Sequence, residues 1–206
     1  MRPWRRAGVV PARRRAAAAA GVTAMLAISG CGADVPARFA AASVVPGAPA
    51  AADFTLRDPD GRRVRLADFR GRAVLLTFLY VHCPDVCPLT VERVRAGLAQ
   101  LKARAGRAHL VVVSVDPRGD TPAAVRAFVR AHHMSGRMTY LLGARSELER
   151  VWKRYGVAVA GTPEDREVAH SSLVVGIDAS GHRRVQYAHD FTAAQIAHDV
   201  PLLAAS

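Results

Sequence analysis

Beyond residue 52 the apolar positions fall into short runs of two different periods, separated by turn-forming residues. Residues 53–56 (DFTL) and 62–66 flank the turn Asp58-Pro59-Asp60-Gly61, which predicts a β-hairpin. Residues 73–79 (AVLLTFL) are an unbroken apolar run, as in a strand buried on both faces. Residues 91–105 space their apolar positions for an amphipathic helix. Residues 109–116 (HLVVVSVD) return to a β-branched run that suits a parallel neighbour of the first strand. Residues 117–122 then break the pattern. Thr121 is a good helix cap and Pro122 a good opening residue for a helix over 123–132. Residues 138–142 predict a short strand, and 146–155 a helix with Leu148, Val151, Trp152 and Tyr155 on one face. A polar loop over 156–167 leads to residues 171–177 and 183–187, a second hairpin around Asp178-Ala179-Ser180-Gly181. Thr192 caps a last helix that ends near residue 203.

This order predicts an α/β fold, a thioredoxin-like layer sandwich: a mixed central sheet with helices on both faces and an added N-terminal hairpin. Many α/β domains alternate in this way, so the chemistry has to sharpen the choice.

The N-terminal residues follow another pattern. Residues 1–15 hold six arginines and no acid, and residues 16–28 are apolar but short for a permanent membrane span. The run ends in Ile28-Ser29-Gly30-Cys31, which resembles the lipobox of bacterial lipoproteins. Residues 1–30 are therefore expected to be a lipoprotein-type signal peptide, with Cys31 lipidated. Residues 31–52, rich in Ala, Pro and Gly, are expected to be a flexible tether to a domain over 53–206. The expected location is extracytoplasmic, on the bacterial cell membrane.

Net charge is +12, yet setting aside those six arginines leaves 23 basic residues against 17 acidic ones. Lys/Arg runs interleaved with aromatics are missing, which argues against nucleic-acid binding.

Of the three cysteines, Cys83 and Cys87 remain once Cys31 is assigned to lipid. They sit in the loop between the buried strand and the helix after it, with Pro88 suited to the first helical position. A helix N-terminus stabilises anions, so at least one thiol is expected to ionise below its ordinary pKa. Such a pair suits thiol–disulfide exchange or a soft metal ion. Thr90 stands where a radical-SAM iron–sulfur site needs a third cysteine, and Pro88 where haem attachment needs histidine. A structural zinc site would need a second cysteine pair. The pair encloses too small a loop to be a structural staple.

Soft thiolates favour Cu(I), and a neutral imidazole would complete a site that also holds Cu(II). Of the eight histidines, His82 adjoins Cys83, and strand-end geometry aims it away from that neighbour. His109, His132, His133, His182 and His198 lie at turns or element ends and read as solvated surface, and His189, which follows a strand, is similarly unremarkable. His170 ends a polar loop directly before an apolar strand, which makes it the best-placed candidate. Asp85 could cap the helix or tune the thiols, and Asp116 could form its own turn or support the site.

Three segments, FLYVHCPDVCP at 78–88, SVDPRGDTP at 114–122 and AHSS at 169–172, together resemble the Sco/SenC family. The likeness runs in order and spacing over about residues 53–204. It implies a membrane-tethered thioredoxin fold that binds copper, with Cys83, Cys87 and His170 as the ligands. It also implies service to the binuclear copper site of cytochrome c oxidase subunit II, or to another cuproprotein. Val81, Gly119 and Val174 depart from the family's commoner residues, and none is a ligand position. The expected function is thus a copper metallochaperone for Cu(I) and Cu(II). The alternative is a thiol–disulfide oxidoreductase in which Cys83 and Cys87, as a redox-active pair, reduce the partner's cysteines before metallation.

Overall fold

The computed structural model describes residues 38–41, 43–160 and 168–206. In chain order the elements are β1 (Ser43–Val44), β2 (Thr55–Arg57), β3 (Arg63–Arg65), β4 (Ala73–Leu79), α1 (Val86–Gln100), β5 (Ala108–Ser114) and α2 (Pro122–Ala131). They continue with β6 (Met138–Leu141), α3 (Arg145–Tyr155), β7 (Val159–Ala160), β8 (Ala169–His170), β9 (Val174–Ile177), β10 (Arg183–Tyr187) and α4 (Ala193–Ala205). The signal-type segment and Cys31 lie outside the described residues.

Six strands form the central sheet in the order β1-β10-β9-β4-β5-β6. β4, β5 and β6 run parallel, while β9, β10 and β1 are antiparallel to their neighbours. The sheet is mixed, as expected. β2 and β3 form the separate N-terminal hairpin. Every residue of β4 and of β5 is buried. A strand with neighbours on both edges and elements over both faces has no side on which a polar residue would meet water.

In-register partners share a face, and Leu75 of β4 pairs with Gly176 of β9. A Cβ on Gly176 would come 3.0 Å from Leu203 of α4, so that face carries α4. Gly97 lets α1 close on α4: a Cβ there would fall 2.6 Å from Cβ of Ile196. Glu92 of α1 meets His132, at the end of α2, at 3.0 Å, which sets α2 alongside. The other face of β4 carries α3, because Phe78 packs on Tyr155 with ring centroids 5.8 Å apart. Two helices begin where their N-caps require. Thr121 accepts from the Ala124 N–H at 3.2 Å, and Thr192 forms a capping box with Gln195.

The structure corrects several readings. α1 begins at Val86 rather than at residue 91, so Cys87 lies inside its first turn and Pro88 is its third residue, not its first. Proline is tolerated there because the first four helical N–H groups have no intrahelical partner. The strand expected over 171–177 is confined to β9, and His170 belongs to β8, paired with β7.

Part of the stretch expected as tether is held on the domain. β1 pairs with β10, and the Ala40 and Ala41 N–H groups donate to the Asp199 carboxylate at 2.6 and 2.9 Å.

His109, read as a surface residue, is buried in β5. Its Nε2 lies 2.9 Å from Thr139 Oγ1, and its ring stacks on Phe69 at 4.9 Å. Burial pushes its pKa down to about 4 from 6.5. The folded chain therefore binds fewer protons than the unfolded chain between those values. Stability from this residue is complete above pH 6.5 and is lost as pH falls towards 4. His109→Phe keeps the stack but cannot titrate. Its melting temperature is expected to fall less than that of the parent between pH 7 and 4.5, and an equal fall would refute this.

Candidate metal centre

The chain leaves β4 at Leu79, turns, and enters α1 at Val86. Within the turn the Cys83 N–H donates to the Tyr80 carbonyl at 3.3 Å. The Cys87 N–H, which has no acceptor within the helix because it lies in the first turn, donates to Sγ of Cys83 at 3.4 Å. Both residues are free thiols; Cys87 is wholly buried and Cys83 partly so. His170 arrives from 83 positions away and sets its Nε2 3.9 Å from Sγ of Cys87. His170 Nδ1 lies 3.2 Å from the Ser171 carbonyl, which can only accept. Nδ1 thus carries the proton and the Nε2 lone pair faces the sulfur.

Burial lowers the His170 pKa, so the ring is neutral at neutral pH, the form in which imidazole binds metals. Burial pushes the Cys87 thiol strongly up, and the neighbouring Cys83 thiol adds to this. A lowered pKa was expected from the helix N-terminus. At Cys87 the loss of water outweighs the dipole.

A trigonal metal ion about 2.3 Å from sulfur and about 2.0 Å from nitrogen would hold those two atoms roughly 3.8 Å apart. The 3.9 Å between Cys87 and His170 fits that span. Cys83 is the outlier, since its sulfur is turned to the Cys87 N–H. Among the described residues, no three His, Cys, Asp or Glu side chains are already arranged as a metal cage. The structure brings the Cys87 sulfur and the His170 imidazole together and leaves the Cys83 sulfur on the Cys87 N–H.

Asp85 occupies the N-cap position of α1, but its side chain makes no capping hydrogen bond. Asp116 forms its own turn: Oδ1 accepts from the Arg118 and Gly119 N–H groups at 3.1 and 3.0 Å. Glycine at 119 suits that turn, because a Cβ there would run into the Asp116 carboxylate.

Two residues that support the site were not singled out from the sequence. Asp120 is 4% exposed. Its Oδ1 accepts from the Val81 N–H at 2.8 Å, while Oδ2 lies 2.6 Å from Ser114 Oγ and 2.8 Å from Tyr140 Oη. It ties the cysteine loop to the end of β5, and burial raises its pKa to about 6. Nothing in the turn-like stretch 117–122 signals that its one acid is internal. Tyr80 is buried beside Cys83 and His170; burial and then the Cys83 thiol push its pKa up to about 12. The available signal was an aromatic with a polar tip at the end of an otherwise apolar strand.

Known proteins share this arrangement of elements. A family model described as SCO1/SenC matches residues 44–205. A mitochondrial SCO2 homologue of Bos taurus is 34% identical over 154 residues, covering 72% of this chain and 57% of its own length. The chain thus spans little more than half of that relative. The solution structure of apo Sco1 from Thermus thermophilus superposes with a TM-score of 0.68 at 28% identity, covering 82% of this chain and 99% of that one. The copper-bound structure of ScoI from Bradyrhizobium japonicum gives 0.66 at 26% identity, covering 76% and 99%. The mixed sheet flanked by helices is thus the thioredoxin-like fold, with extra N-terminal strands.

Proposed function

The chain belongs to the SCO1/SenC family, and from that premise we propose that it is a copper metallochaperone whose Cys83, Cys87 and His170 hold the ion. The observation that carries this reading is the meeting of the His170 imidazole with the Cys87 sulfur across 83 positions of chain. Copper seen in a solved relative of the same fold supports it.

Loading releases the protons of both thiols, since thiolate is the ligand form. The Cys83 side chain turns from the Cys87 N–H towards the space between Cys87 and His170. Two soft thiolates then hold Cu(I), and the imidazole completes the site for Cu(II). Delivery proceeds by ligand exchange: a partner thiolate bonds to copper as the bond to the more exposed Cys83 breaks, and Cys87 lets go last. The partner is the binuclear copper site of cytochrome c oxidase subunit II or of another cuproprotein. A lipid on Cys31 keeps donor and acceptor on one extracytoplasmic membrane face.

The unequal burial of the pair favours a second reading, thiol–disulfide exchange. The Cys83 thiolate attacks a partner disulfide and one partner thiolate leaves. The Cys87 thiolate then attacks Sγ of Cys83, freeing the second partner thiol and closing a Cys83–Cys87 disulfide.

His170→Ala separates the two. On anaerobic titration of the reduced protein, the metallochaperone keeps Cu(I) binding but loses at least about 10-fold in Cu(II) affinity. Its sulfur-to-copper absorption and paramagnetic resonance signal fade with it. Unchanged Cu(II) spectra together with unchanged reduction of a model disulfide would leave only the exchange reading.

A further inference from the structure

His170 is carried by β8, which pairs with β7 in a two-stranded ribbon outside the six-stranded sheet. A two-stranded ribbon of this length is marginal by itself. Other contacts must therefore hold the imidazole 3.9 Å from the Cys87 sulfur. Ser171, the next residue, closes on Ala158 twice. Its N–H donates to the Ala158 carbonyl at 3.0 Å, and its Oγ accepts from the Ala158 N–H at 3.3 Å. The Ser171 carbonyl also accepts the His170 Nδ1 proton at 3.2 Å.

A second hold comes from beneath. The Thr77 hydroxyl donates to the Leu173 carbonyl at 2.8 Å. Thr77 is 1% exposed and is the one polar residue of β4, AVLLTFL. Valine would fill nearly the same volume in such a strand, so packing alone does not ask for a hydroxyl. The backbone ladder between β4 and β9 ends at Thr77 and Val174. The hydroxyl carries that attachment one residue further, towards His170.

We propose that Thr77 and Ser171 are positioning residues that clamp the His170 segment from its two sides and keep Nε2 on the Cys87 sulfur. The bearing of this clamp on copper rests on the metallochaperone reading above. In that reading the two thiolates hold Cu(I), and only Cu(II) needs the imidazole. Loosening the clamp therefore costs Cu(II) and spares Cu(I), as loss of an outer partner does at other metal centres.

The test is Thr77→Val and Ser171→Ala in the full chain, with Thr77→Ser and Ser171→Thr as variants that keep the hydroxyl. The first readout needs no metal: the nitrogen chemical shifts of the His170 ring in the reduced protein. The parent is expected to show the Nδ1–H form, and both hydroxyl-free variants a mixture of the two tautomers. The second is copper affinity. Both variants are expected to lose about 10-fold for Cu(II) while Cu(I) affinity stays parental, and the hydroxyl-keeping variants to restore both readouts. Parental nitrogen shifts and parental Cu(II) affinity in a hydroxyl-free variant would remove that residue from the clamp. An equal loss of Cu(I) and Cu(II), or a loss that the hydroxyl-keeping variant shares, would show general loosening and overturn the proposal. If the parent itself takes up no copper, the metallochaperone reading fails, and the nitrogen shifts alone decide whether the clamp exists.

Discussion

Replacing Cys87 with serine is expected to lower Cu(I) affinity by more than about 100-fold, beyond the 10–100-fold that loss of an outer partner brings. Cys87 is the common neighbour of the centre. Its N–H meets the Cys83 sulfur, and its own sulfur meets His170. A serine hydroxyl is a hard oxygen that stays protonated at neutral pH, so the soft dithiolate pair is gone. Folding is expected to survive, because the buried hydroxyl can donate to the free lone pair of His170 Nε2. Competition with a chromogenic Cu(I) chelator measures the loss, and retention of Cu(I) at parental affinity would overturn the assignment. Cys87→Ser also removes the thiol that resolves a mixed disulfide. If exchange is the activity, the variant accumulates a covalent adduct with its partner through Cys83. Cys83→Ser is expected to be less complete in its effect on Cu(II), since Cys87 and His170 keep their 3.9 Å approach.

The parts of this fold legible in the sequence are those whose causes are local. The short apolar run of β4 read as an internal strand, and Thr121 and Thr192 announced their helices by capping chemistry. β1 was not legible. It is two residues long, and the adjoining Ala40 is held by Asp199, 159 positions away. The start of α1 was hidden for the opposite reason: its N-cap residue, Asp85, makes no side-chain cap. His109 was misread because a strand buried on both faces carries no alternation to show which way a polar residue points. In the candidate site, the sulfurs were picked out by spacing and His170 by its place before a strand, and the structure brings His170 to 3.9 Å from Cys87. Tyr80 and Asp120 lie beside the loop, and only the tertiary packing of β4 against β5 places them there.

Asp120→Ala is expected to destabilise the protein by about 2–4 kcal/mol, or roughly 5–15 °C in melting temperature. Of the hydroxyls around the carboxylate, Tyr140 keeps an acceptor, since its Oη can donate to the Leu79 carbonyl at 2.9 Å. The buried Ser114 O–H loses the acceptor it has at 2.6 Å, although Oγ still accepts from the Asp116 N–H at 3.1 Å. The Val81 N–H loses its acceptor in the part-buried entrance of the cysteine loop, and a cavity is left beside it. Copper affinity is expected to fall as well, because Val81 leads directly into Cys83.

Asp120→Asn is expected to be much milder, since its amide oxygen can still accept from Val81 and its NH₂ can donate to Tyr140 Oη. Its effect should depend on pH with a definite sign. Burial raises the carboxyl from 3.8 to about 6 in the folded chain. The stability linked to this proton is complete below pH 3.8 and is lost as pH rises through about 6. Asparagine does not titrate, so its stability relative to the parent should improve across that window by an amount of order 3 kcal/mol at most. His109 is linked with the opposite sign over nearly the same window, from 6.5 down to about 4. Acid therefore strengthens the fold at Asp120 while weakening it at His109. Asp120→Asn should steepen the loss of melting temperature on acidification, and His109→Phe should flatten it. Parallel pH profiles for the parent and Asp120→Asn would show that the buried carboxyl is not raised.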